Sequence, residues 1–250
     1  MARPRSGYYN AIEYIGPRPQ KPKKQNFFGG WVIVAIAVVA GIFFGKPLIG
    51  GALAAEKGPT DAQAEVITEQ LDSAGGFANE LAAEALRYSG RQLTYDPAYY
   101  KIQYPEGDVP AAKGVAADLV VRCYRKLGID LQREIHEDME KSFRVYPQLW
   151  DAQTPDANID HRRVPNLRRF FSNKGTTLST GNDPSYYKPG DIVVWALANS
   201  ADMHTGIIVP GPIGSGQTPW VVHHPAGGGV KWEDAIFQYQ ILGHFRFPGE

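Results

Sequence analysis

Six histidines and one cysteine are the side chains of this 250-residue chain best suited to proton transfer and acyl chemistry. In "MHTGIIV", His204 opens a β-branched run, so its ring can project from a sheet edge toward a neighbouring element. The next such run ends in "VVHH". Strand alternation sends His223 and His224 to opposite faces, so at most one of them can serve a given site. A strand-start histidine beside a polar side chain from the adjacent strand is the arrangement that orients an imidazole as general base for a thiol, with the second group fixing its tautomer. From spacing alone, two structural histidines read the same way.

A thiol served by such a base is best placed at a helix N-terminus, where the helix dipole lowers its pKa. The stretch "KGVAADLVVRCYRKLGIDL" (113–131) delivers the chain into a helix. Gly114 permits the turn, Leu119, Val120, Cys123, Tyr124 and Leu127 recur at helical spacing, and Gly128 stops it. Ala116 and Ala117 stand where the thiol belongs. Cys123 lies seven residues beyond Ala116, about 10 Å along a helix axis. It sits on the apolar stripe and reads as a small buried hydrophobe. A lone cysteine also excludes an intramolecular disulfide and a cysteine-based zinc cluster. "HEDME" (136–140) lacks the second histidine of a zincin helix, so His136 and Glu140 read as a solvated face. His161, in the polar turn "NIDHRRVPN", can simply hydrogen-bond loop backbone. No metal and no cofactor is expected.

These residues need a frame. Hydrophobic residues make up 43% and charged residues 21%, which suits one globular domain with an extension. The 27 glycines and 19 prolines point to a loop-rich domain rather than a helical bundle. Runs at helical spacing fall at about 114–127, 132–145 and 164–174, and residues 60–89 read as one or two helices interrupted at Gly75–Gly76. From "KPGDIVVWAL" onward short β-runs take over, at 191–197, 205–210, 220–224 and 243–247. Helices first and an antiparallel sheet afterwards predict an α+β domain.

Ahead of that domain, "FFGGWVIVAIAVVAGIFFG" (27–45) carries no charge. At 1.5 Å per residue it nearly spans a bilayer core of about 30 Å, and Phe27, Phe28 and Trp31 supply an interfacial anchor. The preceding tail carries Arg3, Arg5, Arg18, Lys21, Lys23 and Lys24 against Glu13 alone, whereas only Lys46 follows the span closely. That asymmetry predicts a cytoplasmic N-terminus, with the rest of the chain on the far side of the membrane. Ala52 and Ala54 fit a small-x-small cleavage site, but the apolar stretch exceeds the roughly 7–15 residues of a signal sequence, so an uncleaved anchor is favoured. The expected organisation is a basic tail (1–26), a transmembrane helix (27–46), a linker with a helical segment (47–90) and the α+β domain (91–250). The formal net charge is zero, so no nucleic-acid partner is expected.

"YDPAYYKIQYPEGDVPAAKGV", "GIDLQREIHEDM", "PDANIDHRRVPNLRRFF", "YKPGDIVVW", "HTGIIV", "VVHH" and "ILGHFRF" resemble, in order and over roughly residues 90–248, the bacterial family known as domain of unknown function 1287. That family is related to the NlpC/p60 group of papain-like amidases and peptidases. The resemblance implies a papain-like α+β domain behind the anchor, facing the periplasm from a bacterial inner membrane, with amide bonds of cell-wall peptides as the substrate class. By position it assigns the base to His204 and the orienting residue to His223. The family's "GVCTD" falls on residues 114–118, so the nucleophile position is Ala116. Asp118 of the same motif and His161 are carried along as candidate binding residues.

Alanine has no lone pair for attack, so the chain as given is expected to be inactive as an amidase. Two accounts of Ala116 stand side by side: an engineered replacement in an active amidase, or decay of the site in a non-catalytic relative. A rival of another class is a structural subunit of a membrane complex, with the domain as an extrinsic cap. A basic, proline-rich tail becomes ordered only against something. The expected partners are therefore the lipid bilayer through 27–46, membrane-complex subunits at the tail, and cell-wall peptides.

Overall fold

The computed structural model describes residues 59–197, 202–216 and 218–249. The tail, the span at 27–46 and the possible cleavage site lie outside the described residues, among which no helix is long and apolar enough to cross a membrane.

Two helices open the described chain, α1 (Asp61–Ala74) and α2 (Phe77–Tyr88). Thr60 and Gln63 close a capping box at the start of α1, satisfying donors that a helix N-terminus leaves free. Gly75 and Gly76, at φ 66° and 85°, break the chain between the helices at the point where the sequence places the interruption. A short parallel bridge then joins β1 (Thr94–Tyr95) to β2 (Lys113–Gly114) and delivers the chain to α3 (Ala116–Lys126). Every residue of α3 from Ala116 to Tyr124 is buried, and its polar side chains Asp118 and Arg122 are enclosed in ion pairs with Arg162 and Asp108. Helices α4 (Leu131–Ser142) and α5 (Val164–Lys174) complete the layer.

A six-stranded antiparallel sheet follows, in the order β3-β8-β4-β5-β6-β7. Its strands are β3 (Thr176–Thr177), β4 (Ile192–Ala196), β5 (Met203–Pro210), β6 (Pro219–His223), β7 (Lys231–Glu233) and β8 (Gln240–Arg246). Alternation divides its side chains between two cores. Ile192, Val194, Ile207, Val209 and Val222 join the helices in the larger core. Val193, Trp195, Ile208 and Val221 enter a smaller one closed by Tyr187, Ala235 and Ile236. Helices α1 and α2 contribute Ile67, Leu71, Leu81 and Leu86 to the larger core. The molecule is therefore α+β, helices packed on an antiparallel sheet.

Where the reading from sequence and the structure differ, element length is the cause. Strands β1, β2, β3 and β7 have two or three residues each, too few to display a period of two. The helix expected over 132–145 ends at Ser142 and continues as a 3-10 turn over Phe143–Val145. The last strand begins three residues earlier than expected and ends at Arg246.

Cys123 is fully buried in the larger core, and burial pushes its thiol far above the ordinary range. The native protein is expected to resist thiol reagents and to react stoichiometrically once denatured. Rapid labelling of the native protein would contradict this placement.

Candidate functional site

The first turn of α3 and the first residues of β5 meet at a cleft of about 670 Å³. Ala116, Val115, Met203 and His204 line it, with Tyr95 and Pro97 from one loop, Leu149 and Trp150 from a second, and the 159–165 segment as a third wall.

His204 Nε2 lies 2.8 Å from His223 Nδ1, and His223 Nε2 lies 2.8 Å from Glu233 Oε1. The indole of Trp195 stacks beside His204, with ring centroids 5.8 Å apart at 20°, and meets His223 edge-on. Trp195 is itself held by its Nε1 donating to the Ile236 carbonyl at 2.8 Å. Burial, with His223 close by, pushes His204 down to about 3, and burial also lowers His223, so both rings are neutral near pH 7. His224 turns elsewhere, its Nε2 lying 3.1 Å from the Gly228 carbonyl and its ring edge-on to Tyr95.

The start of α3 is anchored from below. Asp118 accepts from the backbone N–H of Val115 at 2.7 Å and from Arg162 Nε and Nη2 at 2.8 and 3.1 Å. Arg162 also donates to the carbonyls of Ala98 and Asp96, so one guanidinium ties the helix start to the 95–98 loop. At the cleft rim, Trp150 and Asp151 hold φ of 61° and 52°, left-handed values that cost energy for side chains other than glycine. Arg163 covers the Trp150 ring with its guanidinium carbon 4.1 Å from the centroid.

The structure thus brings Ala116 and His204 to one cleft and sets His223 behind His204. Neither Asp118 nor His161 lines the cleft. Asp118 is buried against Arg162, and His161 is buried with no hydrogen-bond partner for its Nδ1. His136 is half-buried rather than on a fully solvated face, with Nε2 3.6 Å from Glu140 and Nδ1 3.9 Å from Asp160. No cluster of metal-ligating side chains occurs among the described residues. Glu233, Trp195 and Arg162 escaped the reading from sequence. The only signal for Glu233 was the alternation in "VKWE", where Val230 and Trp232 are buried and Lys231 is exposed.

The family model described as a domain of unknown function, DUF1287, matches residues 82–247. The uncharacterized protein YijF of Escherichia coli (strain K12) is 46% identical over 167 residues, which cover 67% of this chain and 80% of that protein.

The buried imidazoles give stability a sign with pH. Burial pushes His161, like His204, down to about 3, against 6.5 in an unfolded chain. Between those values the unfolded state binds more protons, so their contribution is intact above pH 6.5 and is lost as pH falls toward 3. Asp160 opposes them. Burial pushes its carboxyl up to about 6, so the folded state takes that proton first and gains stability as pH falls through 6. His161→Leu is expected to flatten the acid side of a plot of unfolding free energy against pH, measured in urea. Parallel plots for the variant and the parent would contradict a buried neutral His161.

Proposed function

From this chain's membership of the DUF1287 family and the geometry of its cleft, we propose a papain-like domain related to NlpC/p60 amidases that holds cell-wall peptides without cleaving them. The observation that carries the reading is the imidazole pair at 2.8 Å, whose His204 lines the same cleft as Ala116, the N-terminal residue of a buried helix. In an active relative a thiolate at that helix start attacks the amide carbon. The C–N bond breaks, the histidine passes the thiol's proton to the departing amine, and water then hydrolyses the thioester. His204 is the base in this scheme, His223 fixes its ring, and Ala116 occupies the nucleophile position. The methyl group of Ala116 cannot attack, so a bound peptide keeps its amide bond.

The uncharged stretch at 27–45, with its basic flank, supports a single-pass anchor that keeps the domain on the periplasmic side. Protease added outside spheroplasts is expected to digest the domain beyond residue 60 and to spare residues 1–26. Digestion of the tail instead reverses the orientation, and a mature chain beginning at Ala55 removes the anchor.

The site itself is tested by Ala116→Cys. The new thiol gains a helix N-terminus and a nearby imidazole, so its alkylation is expected to be fast well below the ordinary thiol pKa of about 8.5. His204→Ala in the same background is expected to slow it. An ordinary thiol titration, indifferent to His204, would overturn the reading.

A further inference from the structure

The two imidazoles are not the end of the chain of side chains that begins at the cleft. Register carries it across three strands. His223 stands opposite Gly206, and Glu233 stands opposite Val221. His204, His223 and Glu233 therefore project from one face of β5, β6 and β7. Gly206 keeps the crossing clear, because a β-carbon there would come within 2.6 Å of Val221 Cγ2 and 3.0 Å of His223 Cβ. Glu233 sits at the far end, half-buried, and lines a separate groove with Lys231 and Asp61.

The order of protons along this chain follows from donor chemistry. A carboxylate only accepts, so its contact with His223 requires the proton of that ring on Nε2. A neutral ring protonated there has a lone pair on Nδ1, which must accept from His204 Nε2–H. His204 is then left with a bare Nδ1, the ring nitrogen that takes part in no hydrogen bond among the described residues. That is the tautomer a general base requires. The reverse order, with a proton on His204 Nδ1, would place two lone pairs face to face or oblige the carboxylate to donate.

We propose that Glu233 is a positioning residue, which through His223 fixes the tautomer of His204 and keeps a lone pair on the nitrogen left to the cleft. This rests on the reading of His204 as the base of a vacated thiol site. On the cleft side Asp202, Arg162 and Arg163 line the same walls as His204, and on the far side the charged neighbours are few. Lys231 Nζ lies 3.7 Å from Glu233 Oε2, Asp61 shares the outer groove, and His224 follows His223 but turns to Gly228. Trp195 flanks both imidazoles and supplies no competing acceptor.

The test uses the full chain in detergent with ¹⁵N-labelled histidine, reading ring nitrogen shifts near neutral pH and assigning His204 and His223 by single replacement. In the parent both rings are expected to carry the proton on Nε2, with a bare-nitrogen shift at His204 Nδ1. Glutamine keeps the shape of Glu233 but can donate as well as accept, so Glu233→Gln is expected to move His204 Nδ1 toward the protonated range, and Glu233→Asp to restore the parental pattern in part. Unchanged His204 shifts in a folded Glu233→Gln protein would overturn the proposal. In the Ala116→Cys background, Glu233→Gln is expected to slow alkylation several-fold near neutral pH and to raise the apparent thiol pKa. A thiol that responds to His204→Ala but not to Glu233→Gln sinks the role of Glu233 and leaves the base in place. A thiol indifferent to both, with ring shifts that still follow Glu233, sinks the thiol-site reading and leaves the tautomer control standing.

Discussion

The buried ion pair between Asp118 and Arg162 is the constraint on which the cleft depends. Both side chains are 3% exposed, so neither charge can be left without the other. Asp118 satisfies the entry of α3, while Arg162 collects carbonyls from the 95–98 loop. One pair thereby sets the position of Ala116, the loop that carries Tyr95 and Pro97, and the turn from which Arg163 reaches the rim. Removing one member of such a pair typically costs about 3–5 kcal/mol, because the partner is left as an uncompensated buried charge. A pair of apolar residues could fill the same volume. It could not also hold the Val115 N–H and two loop carbonyls.

The sheet contributes the other half of the site through dryness. The rings of His204 and His223 lie against Trp195, and they are 8% and 4% exposed. Water is largely kept from the hydrogen bond between them, which strengthens the bond and disfavours a charge on either ring. The same surroundings make the pair sensitive to its far end, since a buried imidazole with no fixed acceptor has little reason to prefer one tautomer. Asp191 plays a comparable part on the same face of the sheet, toward its β3–β8 edge. It accepts from Arg246 Nε at 2.8 Å and lies 3.0 Å from His244 Nε2, which fastens the end of β8 to the start of β4.

Much of this was legible in the residues, for particular reasons. The helix over Ala116–Lys126 announced itself through its apolar spacing and Gly128, whose φ of 83° ends it. The divergence of His223 and His224 followed from alternation alone. What was not legible depended on partners distant in sequence. Asp118 looked like part of a binding motif, but its use is set by Arg162, 44 residues away. His161 looked like a loop residue that could bond backbone, and it is buried with an unpartnered nitrogen. Glu233 sits on a three-residue strand, and three residues carry too little pattern to separate a strand from a turn.

The placement of three interacting side chains on consecutive strands has a consequence for how this sequence can change length. A strand shows alternate residues to opposite sides, so adding or deleting a single residue between His204 and His223, or between His223 and Glu233, has two outcomes. If the hairpin loop absorbs the change, the three groups stay on one side of the sheet. If the ladder absorbs it, one group is carried through to the other side and the series is cut. Tolerance to insertion in this part of the chain is therefore a matter of parity: a change of length outside the paired residues leaves the series intact, whereas the paired residues can shift only by twos.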